Sequence, residues 1–183
     1  MANVPSYNTN NISLGPGILY IGVAGTTPTT DVGAISEDGL TFTLEREFLD
    51  VYQGQPKTLI VSFPISETVT CEVQTIEWNL MNLPLALGAG VTTSTSAKDT
   101  FSFGEDPGND QLAVHIEHVI PSGQTMSIYI WKAQPTGSWE LNMAQDTLHT
   151  FPHSFKALSS PTAWDGSALP VGQRLFRITR FKI

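Results

Sequence analysis

Cysteine is nearly missing from this sequence. Cys71 is alone among 183 residues, and a lone cysteine excludes an internal disulfide framework. Its place in an alternating apolar pattern marks it as a small buried hydrophobe rather than a nucleophile. Charge is scarce as well. Asp, Glu, Lys and Arg make up 14% of the chain, against about 25% in an average soluble domain. Thr, Ser, Gln and Asn stand in their place. A monomer usually keeps itself soluble with a mixed, charged surface. So little charge suits either a Thr/Ser-rich β domain of the secreted type or a surface largely covered by neighbours, and composition leaves both open. No apolar run approaches the roughly 20 residues of a membrane-spanning helix. The opening residues, MANVPSYNTNN, lack the basic and apolar segments of a secretory signal, so a cytoplasmic origin is expected.

Positive charge is the scarcest commodity. The net charge is −8. Residues 1–110 hold 13 acidic and 3 basic residues, a balance of −10, and residues 111–183 hold 4 acidic and 6 basic, a balance of +2. Four of the basic residues, Arg174, Arg177, Arg180 and Lys182, fall in the last ten positions. Such a balance repels a phosphate backbone and disfavours ordinary DNA binding. The same repulsion is useful where DNA has to slide past without sticking.

An apolar share of 40% is enough for a real core. The length fits a single domain spanning residues 1–183, with the polar, Asn-rich residues 1–14 as a flexible arm. Strand patterns dominate from Gly15 to Gly88. ILYIGV (18–23) reads as a short buried strand between glycines, and residues 24–39 as a long loop. Leu40, Phe42 and Leu44 alternate with polar partners, and Leu59, Val61 and Phe63 with polar or smaller ones, with a turn or loop tip at Gly54–Pro56. Residues 46–58 are accordingly expected as a second long loop. Val69, Cys71 and Val73 alternate in turn, and the phase then flips at Ile76, which predicts a bulge or a change to helix. Leu80, Leu83 and Leu87 have helical spacing, with Pro84 in the first turn and Gly88 at the end, so one short helix is expected near 80–88. Residues 89–111 read as a loop with a short FSF strand. LAVHIEHVI (112–120) and TMSIYIWKA (125–133) form a predicted hairpin. Residues 147–158 read as a weaker strand, which Pro152 confines to an edge or a bulge. The final QRLFRITRFKI is apolar and cationic on both faces, which suits a sheet edge or a subunit boundary. The fold class is therefore mainly β: two packed antiparallel sheets, as a sandwich or partial barrel, with one short flanking helix and long loops.

Against this abundance of strands, the chemistry is thin. His115 and His118 lie three apart in a strand and point to opposite faces, and His149 and His153 flank Pro152. Neither pair presents the i, i+4 geometry of a zinc site, so no metal is expected. GPG at 15–17 lacks the third glycine and the preceding strand of a dinucleotide fingerprint and predicts a tight turn or close backbone approach. There is no nucleophile elbow and no P-loop. No cofactor and no catalytic residue is expected. Trp78, Trp131, Trp139 and Trp164 could line a sugar groove beside a carboxylate pair, but tryptophan serves as often as a core or interface anchor. The acidic run Glu45, Glu47 and Asp50 reads either as solvated surface or as a ring of negative charge, repeated by symmetry, around a pore.

The segments GILYIGVAGTTPTTDVGAISEDGLTFTLERE, DVYQGQP and ETVTCEVQTIEWNLMNLPLALG, within residues 15–90, resemble the bacteriophage tail tube (major tail) proteins and the similar inner-tube proteins of contractile injection systems. The resemblance lies in a G-x-LY-like strand, a Pro/Gly loop leading to an acidic strand, a GQ loop, a long strand carrying a glutamate, and a short Leu/Ala helix ending in glycine. It implies a non-enzymatic structural protein. Six copies would close into a ring whose inner sheets join in a β-barrel, and rings would stack into a hollow tail tube through which DNA is ejected. It further implies self-association, contact with sheath, tape-measure, terminator and baseplate proteins, DNA passing without specific binding, and residence in the virion tail after assembly in the host cytoplasm. By this analogy Glu45, Glu47 and Asp50 would face the lumen, Arg174, Arg177, Arg180 and Lys182 would lie between subunits, and the loops 24–39 and 46–58 would cross between rings. The residues also leave open a β-sandwich carbohydrate-binding or hydrolytic module, and a head–tail connector or decoration protein.

Overall fold

A computed structural model of the chain describes residues 15, 17–77, 79–105, 110–120, 123–136 and 149–181. The expected arm at 1–14, Trp78, Trp139 and Lys182 lie outside them. The strands are β1 (Ile18–Val23), β2 (Thr30–Asp31), β3 (Ile35–Gln53) and β4 (Thr58–Thr75). A 3-10 turn (Leu80–Asn82) and helix α1 (Leu83–Leu87) follow, then β5 (Val91–Ser94), β6 (Asp99–Ser102), β7 (Leu112–Val119), β8 (Thr125–Pro135), β9 (Phe151–Ala157) and β10 (Phe176–Arg180).

As expected, the fold is mainly β, with two antiparallel sheets and a short helix. The division between the sheets is uneven. One is an eight-stranded sheet in the order β2-β1-β7-β8-β9-β4-β3, and the other is the small β5–β6 ribbon. Strand β8 is the hinge of the large sheet. Its first half pairs with β10 through Phe176↔Ile130 and Ile178↔Ile128. Its last residues pair instead with β9 through Ala133↔Ala157 and Pro135↔Phe155. The large sheet thus turns over itself. Leu19, Ile21, Val114, Ile116 and Ile130 from one limb meet Val69, Cys71, Val73 and Phe155 from the other in one core. Alternation explains who goes in: in β7, Leu112, Val114 and Ile116 are buried in this core while His115 and Glu117 stand on the opposite face.

The helix obeys its sequence signals. Pro84 occupies the first turn, and Gly88 caps the end in the left-handed region at φ 68°, where a Cβ would be penalised. The phase flip after Val73 is the end of β4, with Ile76 already outside the strand. Pro152 sits in a strand flanked on both sides, against expectation. Its edge character survives locally, because β8 ladders only to residues 155–157 of β9, so Pro152 is paired on the β4 side alone, opposite Gln74.

One expectation fails outright. Residues 46–58 do not form a long loop. β3 and β4 continue through them as a ladder from Thr41↔Glu72 to Gln53↔Thr58, closed by residues 54–57. The FSF segment likewise belongs to a hairpin, with Thr92 opposite Phe101 and Val91 opposite Ser102.

Candidate assembly surface

The outer half of the β3–β4 hairpin is the most unusual surface of the molecule. Every large apolar side chain from Leu44 to Ile65 is between 37% and 61% exposed. Isolated exposed apolar residues need no explanation, but a contiguous group marks a contact site. The register sorts them onto two faces. Leu40, Phe42 and Leu44 pair with Val73, Cys71 and Val69 on the core side. Outward along that side come Arg46 with Glu67, Phe48 with Pro64, Asp50 with Ser62, and Tyr52 with Leu59. The opposite side carries Glu45 with Thr68, Glu47 with Ser66, Leu49 with Phe63, and Val51 with Val61. Ile65 and Ile60 have no opposite number, at the two register shifts of this stretch, and such bulges strengthen the local twist. Both faces of the outer hairpin are therefore apolar and wet.

Polar contacts on the hairpin follow these faces. Arg46 forms an ion pair with Glu67 at 2.9 Å and lies over the Phe48 ring at 5.5 Å. The Ser62 hydroxyl donates to Asp50 at 2.5 Å and Tyr52 to the same carboxylate at 3.3 Å. Ser66 donates to Glu47 at 2.9 Å. Of the three carboxylates singled out in the sequence, Glu45 and Glu47 share the back face, and Asp50 stands on the core-side face.

A groove of about 890 Å³ opens where the core-side face of the hairpin meets β10. Leu44, Pro64 and Ile65 line one wall, and Phe176 and Ile178 the other. Three arginines, Arg46, Arg174 and Arg177, border it against a single carboxylate, Glu67. The structure places the sequence-selected arginines accordingly. Arg174 donates to the Leu169 carbonyl at 3.3 Å. Arg177 donates to the Gln173 side chain at 2.8 Å and leans over Trp131 at 5.1 Å. Arg180 donates to Gln124 at 2.6 Å. Among the described residues strand β10 ladders to β8 alone, with its other edge unpaired, in keeping with its mixed sequence.

Residues that could suggest chemistry are occupied structurally. Among the described residues no group of three or more His, Cys, Asp and Glu side chains is placed to hold a metal. Trp131 is buried and donates its indole N–H to the Gln173 carbonyl at 2.9 Å, and Trp164 donates to the Trp131 carbonyl at 3.3 Å. They pack with Tyr129, Ala163 and Leu169 as a second small core. His115 is stacked between Tyr20 and Tyr129, with ring centroids 5.9 and 4.9 Å away. Burial lowers its pKa, with Glu117 acting in the opposite sense. The Cys71 thiol is pushed up to about 12 by burial, which removes it as a nucleophile at neutral pH. The residues missed in the sequence are Phe48, Leu49 and Tyr52, which fall in the expected loop 46–58. Their signal was the unbroken density of β-favouring side chains on either side of Gly54.

The family model for the phage tail tube protein matches residues 21–165. No curated protein sequence matches. Among solved structures, the chain is similar to one in the anti-feeding prophage cap, the tube-terminating cap, with 8% identity and a TM-score of 0.44 over 98% of this chain and 93% of that one. It is also similar to a chain of the anti-feeding prophage baseplate, with 9% identity and a TM-score of 0.39 over 85% and 91% respectively.

Proposed function

The chain belongs to the phage tail tube protein family, and on that premise we propose that it is the repeating subunit of a tail tube, in which six copies close into a ring and rings stack into a hollow conduit for DNA ejection. The observation that carries this is the outer β3–β4 hairpin, apolar and exposed on both faces. A hairpin of that composition is stable in water only when covered, and two-stranded ribbons are marginal on their own. The edges of β3 and β10, unpaired among the described residues, add backbone that neighbours in a closed ring would satisfy.

Net charge supports the role of a conduit. At −8, a ring of identical copies multiplies a negative field, and DNA passes it without being held. The same reading gives the chain a place in the virion tail, assembled in the bacterial cytoplasm, with sheath, tape-measure, terminator and baseplate proteins as neighbours. Among the described residues no helix is long and apolar enough to cross a membrane. Negative-stain electron microscopy and sedimentation of the purified chain at rising concentration test the proposal. Rings or stacked tubes are expected. A folded chain that stays monomeric at high concentration refutes it.

A further inference from the structure

We propose that Ile12, Ser13 and Leu14, just ahead of Gly15, fold back into a cavity at the mouth of the main core and seal it within their own chain. The proposal concerns a single copy and does not rest on the tube reading.

The cavity measures about 740 Å³ and opens between the two limbs of the large sheet. That is within the range of about 300–1,000 Å³ typical of ligand pockets. Its floor is apolar, with Leu40 and Phe42 of β3 across from Ile116 of β7 and Ile128 of β8. Its rim comes from an irregularity in β3. Between the pairs Ile35↔Thr75 and Leu40↔Val73, residues 36–39 stand against Gln74 alone. Such insertions take side chains out of the ladder and re-aim them. Here Ser36, Glu37 and Asp38 are brought to the cavity. Ser36 is only 5% exposed, and its hydroxyl has no hydrogen-bond partner among the described residues. Buried hydroxyls are normally paired, so the site calls for a polar group beside an apolar one.

Place and composition select the occupant. Gly15 and Gly17 are themselves part of the wall. At Gly17 the backbone runs so close to β7 that a Cβ would lie 3.0 Å from the Glu117 carbonyl oxygen, the close approach expected of the GPG segment. The chain ahead of Gly15 is therefore tethered at the cavity edge, and its effective concentration there exceeds that of a separate molecule. In an extended segment Ile12 and Leu14 stand on one side, matching the apolar floor, and the backbone and the Asn10 and Asn11 amides supply partners for Ser36. Residues 1–14 contain no Asp, Glu, Lys or Arg. They bring no carboxylate against Glu37 and Asp38, and seating them strips water from no charge. The seat lies between the limbs, so it competes with no strand edge that a neighbour would extend.

The test is thiol cross-linking of the full chain in dilute solution. Cys71 does not compete, since it is fully buried and its thiol is pushed up to about 12. Ile12→Cys marks the segment and Asp38→Cys the far rim, an exposed position. A short bismaleimide should close an internal link in the double variant. Ile12→Cys paired with Val119→Cys should link far less, because Val119 is exposed at the end of β7 on the face away from the core. Equal linking to both sites means an unseated segment and overturns the proposal. Links between separate chains carrying one substitution each place the segment on another copy and overturn it too. A second measurement uses Met126→Cys, which lines the cavity. Adding Ile12→Ser and Leu14→Ser should speed its modification at least about tenfold, the change that about 1.4 kcal/mol of lost seating produces. An unchanged rate means that the cavity is open or filled by another segment, and overturns the proposal. A monomeric chain that closes the internal link refutes the tube reading and leaves this one standing.

Discussion

His153 should make the fold sensitive to acid, and the size of the effect follows from its surroundings. Its ring is buried in β9. Nε2 lies 3.0 Å from the Thr75 hydroxyl, and Nδ1 is buried with no hydrogen-bond partner among the described residues. The adjoining pocket of about 10 Å³ is bordered by Glu77, Asn79 and Asn82. Asp38 and Glu72 border a second groove that His153 also lines. Burial holds the imidazole neutral and lowers its pKa from 6.5 to about 4. An unfolded chain takes up the proton at about 6.5, and the folded chain resists until about 4. This contribution to stability is therefore whole above pH 6.5 and is lost as the pH falls towards 4. At about 1.4 kcal/mol per unit, the loss is about 1.4 kcal/mol at pH 5.5 and at most about 3 kcal/mol by pH 4. His115 is shifted in the same direction, so the comparison has to be with His153→Gln, which can keep a hydrogen bond to Thr75 but cannot titrate. Urea unfolding followed by tryptophan fluorescence at pH 7, 6, 5.5 and 5 measures both chains above the range in which carboxylates take over. The unsubstituted chain should lose about 1.2 kcal/mol more than the variant between pH 7 and 5.5. Parallel profiles would refute the reasoning.

Three further outcomes test the packing. Gly90→Ala places a Cβ 2.6 Å from the Phe101 ring at a φ of 103°, so strain and displacement of the ring should together cost about 1–3 kcal/mol, read as a fall in Tm. Phe155→Ala empties the largest fully buried side chain of the core and should cost about 3–5 kcal/mol in chemical unfolding. Cys71 should react with a thiol reagent only as fast as the chain opens, because its thiol is buried and pushed up to about 12; rapid labelling of the native chain at pH 8 would contradict that environment.

The parts of the fold that were legible in the sequence are those in which one face is dry and the other wet in a single copy. In β7 the alternation of Leu112, Val114 and Ile116 with His115 and Glu117 mirrors burial residue by residue, and the Pro84–Gly88 signals bracket the helix. The double role of β8 was not legible. Nothing in TMSIYIWKA shows that β10 takes one stretch of its edge and β9 another, because pairing between distant strands is set by core geometry rather than by local pattern. The role of Pro152 was misjudged for the same reason: a strand can be interior along part of its length and an edge where its proline sits.

The outer hairpin was misread for a different reason, and that reason bears on function. Period-two alternation is a signal of asymmetry between faces. Between Phe48 and Tyr52 apolar side chains fall on both faces, so little alternation exists to be read there, and the Gly54 turn with its polar neighbours suggests a loop. In a monomer such a segment is an aggregation hazard. In a protein whose working form is a polymer, losing the alternation is what burial on both faces requires, as it is in the interior strands of parallel sheets. A strand-rich stretch without periodicity in a chain of low charge is thus itself evidence of a surface completed by other copies. The β5–β6 ribbon differs, since Thr92, Thr93 and Ser94 dilute its apolar content, whereas the outer β3–β4 hairpin exposes large apolar side chains on both faces.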